Sequence, residues 1–404
     1  MNLLFMTMSR IRDISQPGIY TDILRKFRKE HFQVYIVTPH ERSEGLLTSV
    51  NESCGVHILG VKTLNLQQSS IIEKGVGQLM VEYQYKRAIR KYFPNVHFDL
   101  ILYSTPPITF TNLIRALQKS NPQAMTYLLL KDIFPQNAVD LGMITKTGLK
   151  GILYNYYKRK EKILYRISDF IGCMSPANVD YLLKHNPEVA AEKVEVAPNS
   201  QELREVRISA EEIVSVRKKY CLPSDRPVFI YGGNLGKPQG IPFLISCLAA
   251  NSQREDCHFV IVGSGTEAHH LKSWYLENKP SSVTVLEGLP KEEYDRLVRS
   301  CDVGLIFLDH RFTIPNYPSR LLSYLENKMP VLCATDPNTD IGRIAEDNGY
   351  GYWCESNSVE AFTSILDKMI HSDMLSMGRN GYDFFKNNYL VENTYNAIIS
   401  HINV

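Results

Sequence analysis

An apolar run that breaks abruptly into glycines constrains this chain more than any other stretch. In PVFIYGGNLGKPQG, Pro227 to Gly240, the residues Val228 to Tyr231 have the β-branched and aromatic character of a fully buried strand. Gly232, Gly233, Gly236 and Gly240 follow, and Ile241 to Ala250 reads as a helix behind them. A glycine-rich turn between strand and helix lets backbone N–H groups approach a ligand and aims the positive end of the helix at it, so the expected guest is a phosphate. Such turns also serve as packing devices in α/β proteins, and the turn alone leaves both readings open.

The rest of the chain repeats the unit. Before the turn, strands are expected at Leu3 to Thr7, Val34 to Thr38, Val56 to Val61, Asp99 to Ser104, Met125 to Leu130, Phe170 to Met174 and Val194 to Ala197, with helical stretches such as Tyr20 to Lys29 between them. After it come His258 to Val262, Val283 to Leu286, Val303 to Leu308 and Val331 to Ala334. The polar stretch APNSQELREVRISAEEIVSVRKKYCLPSDRP, bounded by Pro198 and Pro223, reads as a linker with one helix. The alternation implies an α/β fold: two Rossmann-like domains with parallel sheets facing a central cleft. The expected division is residues 1–200 and 201–378, with a helical segment, 379–404, able to cross back onto the first domain. A chain of 404 residues is long enough for two such cores.

Composition narrows the setting. No run of 18 apolar residues occurs and the start lacks the apolar centre of a signal peptide, so a cytoplasmic protein is expected. The eight cysteines are scattered with no CxxC pair, which suggests buried thiols and neither a disulfide framework nor a zinc site. The net charge of +2 hides an asymmetry: residues 1–199 carry 25 Lys and Arg against 17 Asp and Glu, and the remainder carries 20 against 26. An anionic surface or ligand is expected at the first half. The excess is too small, and the modules too unlike, for a nucleic-acid partner.

Three features of the first half have chemical potential. Gly18, just before the first helix, closes a long loop at the end of the first strand, where open α/β sheets place ligands. In LLLKDIFPQNAVDLG the strand ending at Leu130 delivers Lys131 and Asp132 to the same edge; Asp132 either acts as a base, holds a sugar hydroxyl, or caps the following turn. The helical stretches VEYQYKRAIRKYF, Val81 to Phe93, and ILYNYYKRKEKILYRIS, Ile152 to Ser168, interleave tyrosines with Lys and Arg. Aromatic side chains suit a bilayer interface and basic ones are drawn to anionic headgroups. Two solvated helix faces with tyrosines packed on the sheet are the alternative.

Taken together, GGNLGKPQG, FVIVGSG (Phe259 to Gly265), VLEGLPKEEYDRLVRSCDVGLIFL (Val285 to Leu308), NYPSRLLSYLENKMPVLCA (Asn316 to Ala334), KDIFPQNAVDLG and APNS resemble a GT-B glycosyltransferase of family 4, the retaining group. More narrowly, they resemble the bacterial N-acetylfucosamine-type transferases of O-antigen and capsule assembly. The resemblance covers nearly the whole chain.

It implies a hexosyltransferase at the inner face of the plasma membrane. Such an enzyme moves a sugar from a nucleoside-diphosphate sugar, with UDP the expected nucleotide, to a polyprenyl-diphosphate-linked sugar. No cofactor is implied and no metal is expected. Gly233, Asn234, Gly236 and Gly265 would face the donor diphosphate. The family's cationic positions in the turn hold Asn234 and Gln239 here, so Lys237 and Arg320 are expected to offset the charge, with Ser319 adding donors. Gly288 and Leu289 of EGLP would meet the base. Two glutamates that much of the family carries fall on Pro315 and Ser323, and Glu326, one helical turn on from Ser323, is the available substitute for holding the ribose. Two other functions fit the same fold: a nucleotide-sugar 2-epimerase, and a non-catalytic donor-binding subunit.

Overall fold

The computed structural model describes residues 1–66, 71–204 and 208–402. The chain forms two compact units, Met1–Glu202 with Leu390–Val404, and Leu203–Tyr389. Part of the expected linker, residues 205–207, lies outside the described residues.

The first unit is built on strands β1 (Asn2–Met6), β2 (Gln33–Glu41), β3 (Ser49–Ser53), β4 (Val56–Thr63), β5 (Leu100–Ser104), β6 (Met125–Leu130), β7 (Phe170–Cys173) and β8 (Val194–Val196). They form one sheet in the order β3-β4-β2-β1-β5-β6-β7-β8. Every neighbour pair is parallel except β3 with β4. The connecting helices are α1 (Ile19–Lys29), α2 (Ile71–Tyr92), α3 (Thr111–Ser120), α4 (Gln136–Asp140), α5 (Gly148–Ile167) and α6 (Pro176–His185). Leu3, Phe5, Val34, Ile36, Leu100 and Leu102 are fully buried, which is why these strands read as continuous apolar runs.

The strand β3 has no such signature. Its sequence, SVNES, is polar and half to fully exposed, as an edge strand with solvent on its outer side allows. It is held by a two-residue hairpin loop in which Cys54 (φ 51°) and Gly55 (φ 74°) both take positive φ, the backbone of the turn that best matches strand twist.

The second unit carries α7 (Ala210–Lys219), β9 (Val228–Asn234), α8 (Ile241–Ala250), β10 (His258–Ser264), α9 (Ala268–Asn278), β11 (Val283–Leu286), α10 (Lys291–Arg299), β12 (Val303–Phe307), α11 (Arg320–Glu326), β13 (Val331–Thr335), α12 (Ile341–Asp347), β14 (Gly351–Glu355), α13 (Val359–Ile370) and α14 (Met374–Asn388). Its six strands are all parallel, in the order β11-β10-β9-β12-β13-β14. The order reverses direction between β9 and β12. At such a switch point the loops leave in opposite directions and open a crevice at the carboxyl ends of the strands.

The C-terminal segment is shared. Helix α14 belongs to the second unit, whereas α15 (Val391–Ile399) belongs to the first. Val391 and Ile398 are buried in the first unit's core, the Tyr395 ring lies 4.9 Å from that of Phe27, and Thr394 Oγ1 donates to the Pro198 carbonyl at 3.1 Å. Both units are α/β layers around parallel sheets, as the strand and helix alternation predicts.

Candidate functional site

The crevice of the second unit begins where β9 runs out of side chains. Gly232, Gly233 and Asn234 pair in register with Val262, Gly263 and Ser264 at the end of β10. The two turns then lock together: Leu235 N–H donates to the Ser264 carbonyl at 2.9 Å, and Glu267 N–H to the Leu235 carbonyl at 2.9 Å. A Cβ at Gly263 would sit 1.9 Å from the Gly233 carbonyl oxygen, and one at Gly265 would sit 2.4 Å from the Leu235 carbonyl oxygen. Only glycine permits this approach. Gly265 therefore has a packing role in the structure. Gly233 is strained for any other residue on separate grounds, since its φ is 117°.

A pocket of about 360 Å³ opens at these turns, lined by Gly233, Asn234, Gly263, Ser264, Gly288 and Leu289 with Val262 and Tyr294. Four residues expected from sequence, Gly233, Asn234, Gly288 and Leu289, thus line one pocket. Ser264 and Tyr294 were not singled out in the sequence. Tyr294 sits on α10, far along the chain, and its hydroxyl occupies the space above Gly232, where a Cβ would lie 2.2 Å from it.

The positions where the resembled family is cationic are bonded to each other. Asn234 Nδ2 donates to Gln239 Oε1 at 2.8 Å, and the Gly236 N–H reaches the same oxygen at 3.2 Å. This neutral pair braces the short 3-10 turn Lys237–Gln239. Lys237 opens that turn with its side chain exposed. Gly236 is buried and its N–H is committed to Gln239.

Arg320, the first residue of α11, comes closest to the glycines. Its guanidinium carbon lies 4.2 Å from the centroid of the Tyr231 ring, and a Cβ at Gly233 would be 3.8 Å from its Nη2. Its Nη1 is buried without a hydrogen-bond partner. A guanidinium over an aromatic face is stabilised by the ring quadrupole, but that interaction does not neutralise its charge. The supporting phenols are fixed: Tyr231 Oη donates to the Asn234 carbonyl at 2.8 Å, and Tyr324 Oη accepts from Gly232 N–H at 3.3 Å and donates to the Ile230 carbonyl at 3.2 Å. Burial pushes the Tyr294 hydroxyl up to about 12, so it stays protonated.

The loop after β12 supplies two further groups that went unnoticed in the sequence. Asp309 N–H donates to the Pro238 carbonyl at 3.0 Å, joining this loop to the glycine turn across the switch point. The Asp309 carboxylate takes Arg311 in a two-pronged pair, Nε at 2.9 Å and Nη2 at 2.7 Å. Burial alone would raise this carboxyl; the Arg311 contacts outweigh it and hold it below the usual value. The tripeptide Asp309-His310-Arg311 just after an apolar strand was the available signal.

The remaining candidates are scattered. Ser319 is exposed beside Arg320, and Ser323 is half-buried on α11. Glu326, at the end of α11, accepts the Arg204 N–H at 3.0 Å and does not line the pocket. In the first unit, Gly18 N–H donates to Asp22 Oδ1 at 3.0 Å, so this N–H is occupied by the chain's own carboxylate. Asp132 lies just past β6, with its N–H on Thr105 Oγ1 at 3.2 Å and its Oδ1 accepting Asn137 Nδ2 at 2.7 Å. Burial raises its pKa to about 6, against the lowering effect of hydrogen bonds from Asn137 and the Ile133 N–H. Next to it, Lys131 Nζ donates to the Ala197 carbonyl at 3.0 Å, and burial lowers its pKa to about 7. Among the described residues no group of three or more His, Cys, Asp or Glu is placed to hold a metal ion.

This crevice, at the turns of a parallel sheet and with a cation beneath the glycines, lies inside a segment with a family match. Residues 214–384 match the model of glycosyl transferases, group 1. The chain is similar to the probable glycosyltransferase WbjE of Pseudomonas aeruginosa, 24% identical over 264 residues that cover 65% of this chain and 64% of the relative. It is also similar to the putative colanic acid biosynthesis glycosyl transferase WcaI of Escherichia coli K12, 25% identical over 181 residues, 44% of each chain. The matches thus span under two thirds of either relative's length. Among solved structures, Anabaena Alr3699/HepE in complex with UDP superposes with a TM-score of 0.69 at 14% identity, over 99% of both chains. The fold is that of GT-B glycosyltransferases. The pocket, Arg320 and the Asp309–Arg311 pair all fall within the matched residues 214–384.

Proposed function

We propose that this chain is a retaining glycosyltransferase of the hexosyltransferase type. In this reading it moves a sugar from a nucleoside-diphosphate sugar, UDP being the nucleotide, to a polyprenyl-diphosphate-linked sugar during surface polysaccharide assembly at the inner face of the plasma membrane. The observation that carries the reading is the Arg320 guanidinium, stacked on Tyr231 beneath Gly233 with a buried nitrogen lacking any hydrogen-bond partner. A desolvated cation of this kind is stabilised by an anion, and Arg binds phosphate oxygens in pairs. The UDP held by HepE and the colanic acid role named for WcaI support the donor and the polysaccharide setting.

The chemistry assigned to the residues is mainly electrostatic. Arg320, assisted by exposed Lys237 and Ser319, stabilises the diphosphate as it departs from the anomeric carbon. The backbone at Gly288 and Leu289 meets the base. In a retaining reaction of this type the leaving diphosphate oxygen takes the proton from the acceptor hydroxyl while that hydroxyl bonds to the anomeric carbon on the same face. Asp132, half ionised near pH 6, then orients an acceptor hydroxyl by accepting a hydrogen bond. No resident metal is required in this scheme, because the cations are side chains.

The test is transfer. The purified chain, given UDP- and GDP-sugars with a short lipid-diphosphate acceptor, should form a glycosylated lipid with one donor and retain the anomeric configuration; no transfer and no donor turnover across the panel would sink the proposal. A second reading, a donor-binding subunit without activity, is favoured by the non-acidic Pro315 and Ser323 and by the engagement of Glu326 with Arg204. It predicts nucleotide-sugar binding by calorimetry without turnover.

A further inference from the structure

Two helices of the first unit overhang the sheet. Because α2 joins β4 to β5, and α5 leads from α4 to β7, both return against parallel strands, and their first turns lie at the sheet's carboxyl edge. Contacts fix the level. Tyr85 Oη of α2 donates to the Thr7 carbonyl, one residue beyond the end of β1, at 2.8 Å. On α5, the Tyr157 ring lies 4.9 Å from that of Phe134, in the loop beyond β6. Residues preceding Tyr85 and Tyr157 therefore project past the sheet; Leu79 is six residues before Tyr85, about 9 Å along the axis.

The start of α3 ties the two overhangs together. Leu113 N–H donates to Glu82 Oε1 at 2.9 Å, and Lys160 Nζ donates to Thr111 Oγ1 at 3.0 Å. Among the described side chains, these stretches expose several large apolar residues: Leu79, Met80 and Tyr83 on α2, and Ile152, Leu153 and Tyr156 around the polar Asn155 on α5, with Ile152 69% and Tyr83 65% exposed. One turn further along each helix the exposed face becomes basic, at Arg87 and at Arg159. Lys158 and Lys162 are paired with Glu161 and Glu188, and Glu82 is taken up by α3. Exposed apolar residues followed one turn later by an exposed arginine thus occur on both helices, each tied to α3.

The spacing suits one partner. From Tyr83 to Arg87 is about 6 Å along a helix, close to the thickness of a headgroup layer, so apolar tips at the acyl boundary place the arginines among the headgroups. An apolar protein surface would not need a paired cationic collar, whereas an anionic bilayer is complementary to both parts. We infer that the exposed faces of α2 at Leu79–Tyr83 and of α5 at Ile152–Tyr156 form an edge that inserts into an anionic membrane, with Leu79, Met80, Tyr83, Ile152, Leu153 and Tyr156 entering it and Arg87 and Arg159 at the phosphates. This deepens the proposed function: the edge that meets the bilayer is the one at which the strands deliver Lys131 and Asp132, so a membrane-borne acceptor emerges at those residues.

The experiment is vesicle flotation of the full chain. Vesicles containing phosphatidylglycerol should carry the protein upward and pure phosphatidylcholine vesicles should not, with binding lost in high salt. The double substitution Ile152→Ser and Leu153→Ser, both at exposed positions, should lower the vesicle partition coefficient about tenfold or more. Arg87→Gln with Arg159→Gln should weaken binding to anionic vesicles and flatten its salt dependence. Undiminished flotation of the Ile152, Leu153 variant overturns the inference, as does a dimer in solution that this variant dissolves. Calorimetric binding of UDP-sugar, a property of the second unit, separates the two proposals: lost flotation with intact donor binding supports the edge, whereas absent donor binding in a chain that floats counts against the donor reading alone.

Discussion

The guanidinium of Arg320 lies 4.2 Å above the ring of Tyr231, beside Gly233, which lines the pocket. The residues are distant in sequence but meet because β9 and α11 flank the point where the strand order reverses. Tyr231 is fixed in turn by the Asn234 carbonyl, so the cation rests on a rigid platform.

Loss of that cation should be felt by phosphate and not by base. Arg320→Ala is expected to weaken binding of UDP about 10- to 100-fold, the equivalent of a lost charge-assisted contact, and to leave binding of uridine unchanged. Arg320→Lys should recover only part of the loss, since an ammonium cannot bond two oxygens in a plane. Calorimetry with both ligands measures it.

The braced glycine turns should resist even one methyl group. In Gly263→Ala the new carbon would collide with the Gly233 carbonyl, so the variant should lose about 1–3 kcal/mol of stability and its donor affinity together. A denaturant titration beside a binding isotherm checks both; an unchanged midpoint would show that the turns are looser than their spacing indicates.

Asp132 gives a pH signature with a definite sign. Its folded pKa, about 6, is above the value of 3.8 for a free carboxyl, so the folded chain holds the proton more tightly. Its stabilising contribution is present below about pH 4 and is lost as the pH rises through 6. Asp132→Asn should remove that fall in melting temperature. If the carboxylate orients the acceptor, the parent's transfer rate should climb through pH 6 and the variant's should not.

Lys131 is expected to show the complementary trend. Burial depresses its pKa from 10.5 to about 7, so the unfolded chain binds the extra proton between those values. Stability from this site is therefore complete above pH 10.5 and is lost as the pH falls towards 7. Lys131→Met should flatten melting temperature across that interval, measured in buffers of matched ionic strength.

Much of this architecture is legible in the chain because most strands are buried on both faces and so read as unbroken apolar runs. The glycine turn was visible for a similar reason, since it directly follows a buried strand, whereas the EGLP segment and Arg320 stood out only through their resemblance to a known family. What escaped reading depends on partners elsewhere. Strand β3 is polar because only its edge position and the Cys54-Gly55 hairpin make it a strand. Tyr294 joins the pocket through a helix sixty residues from the glycine turn, a separation of 62 from Gly232 by numbering. The bond between Asn234 and Gln239 turns two apparent losses of charge into a brace, and side-chain pairing of that sort has no periodic signal.

The return of α15 to the first unit has a consequence for synthesis. Val391 and Ile398 complete a core whose other members lie before Glu202, so a chain emerging from the ribosome cannot close that core until the second unit has been made. The nascent first unit must wait with the Phe27 surface uncovered, and the last helix acts as the latch that ends assembly.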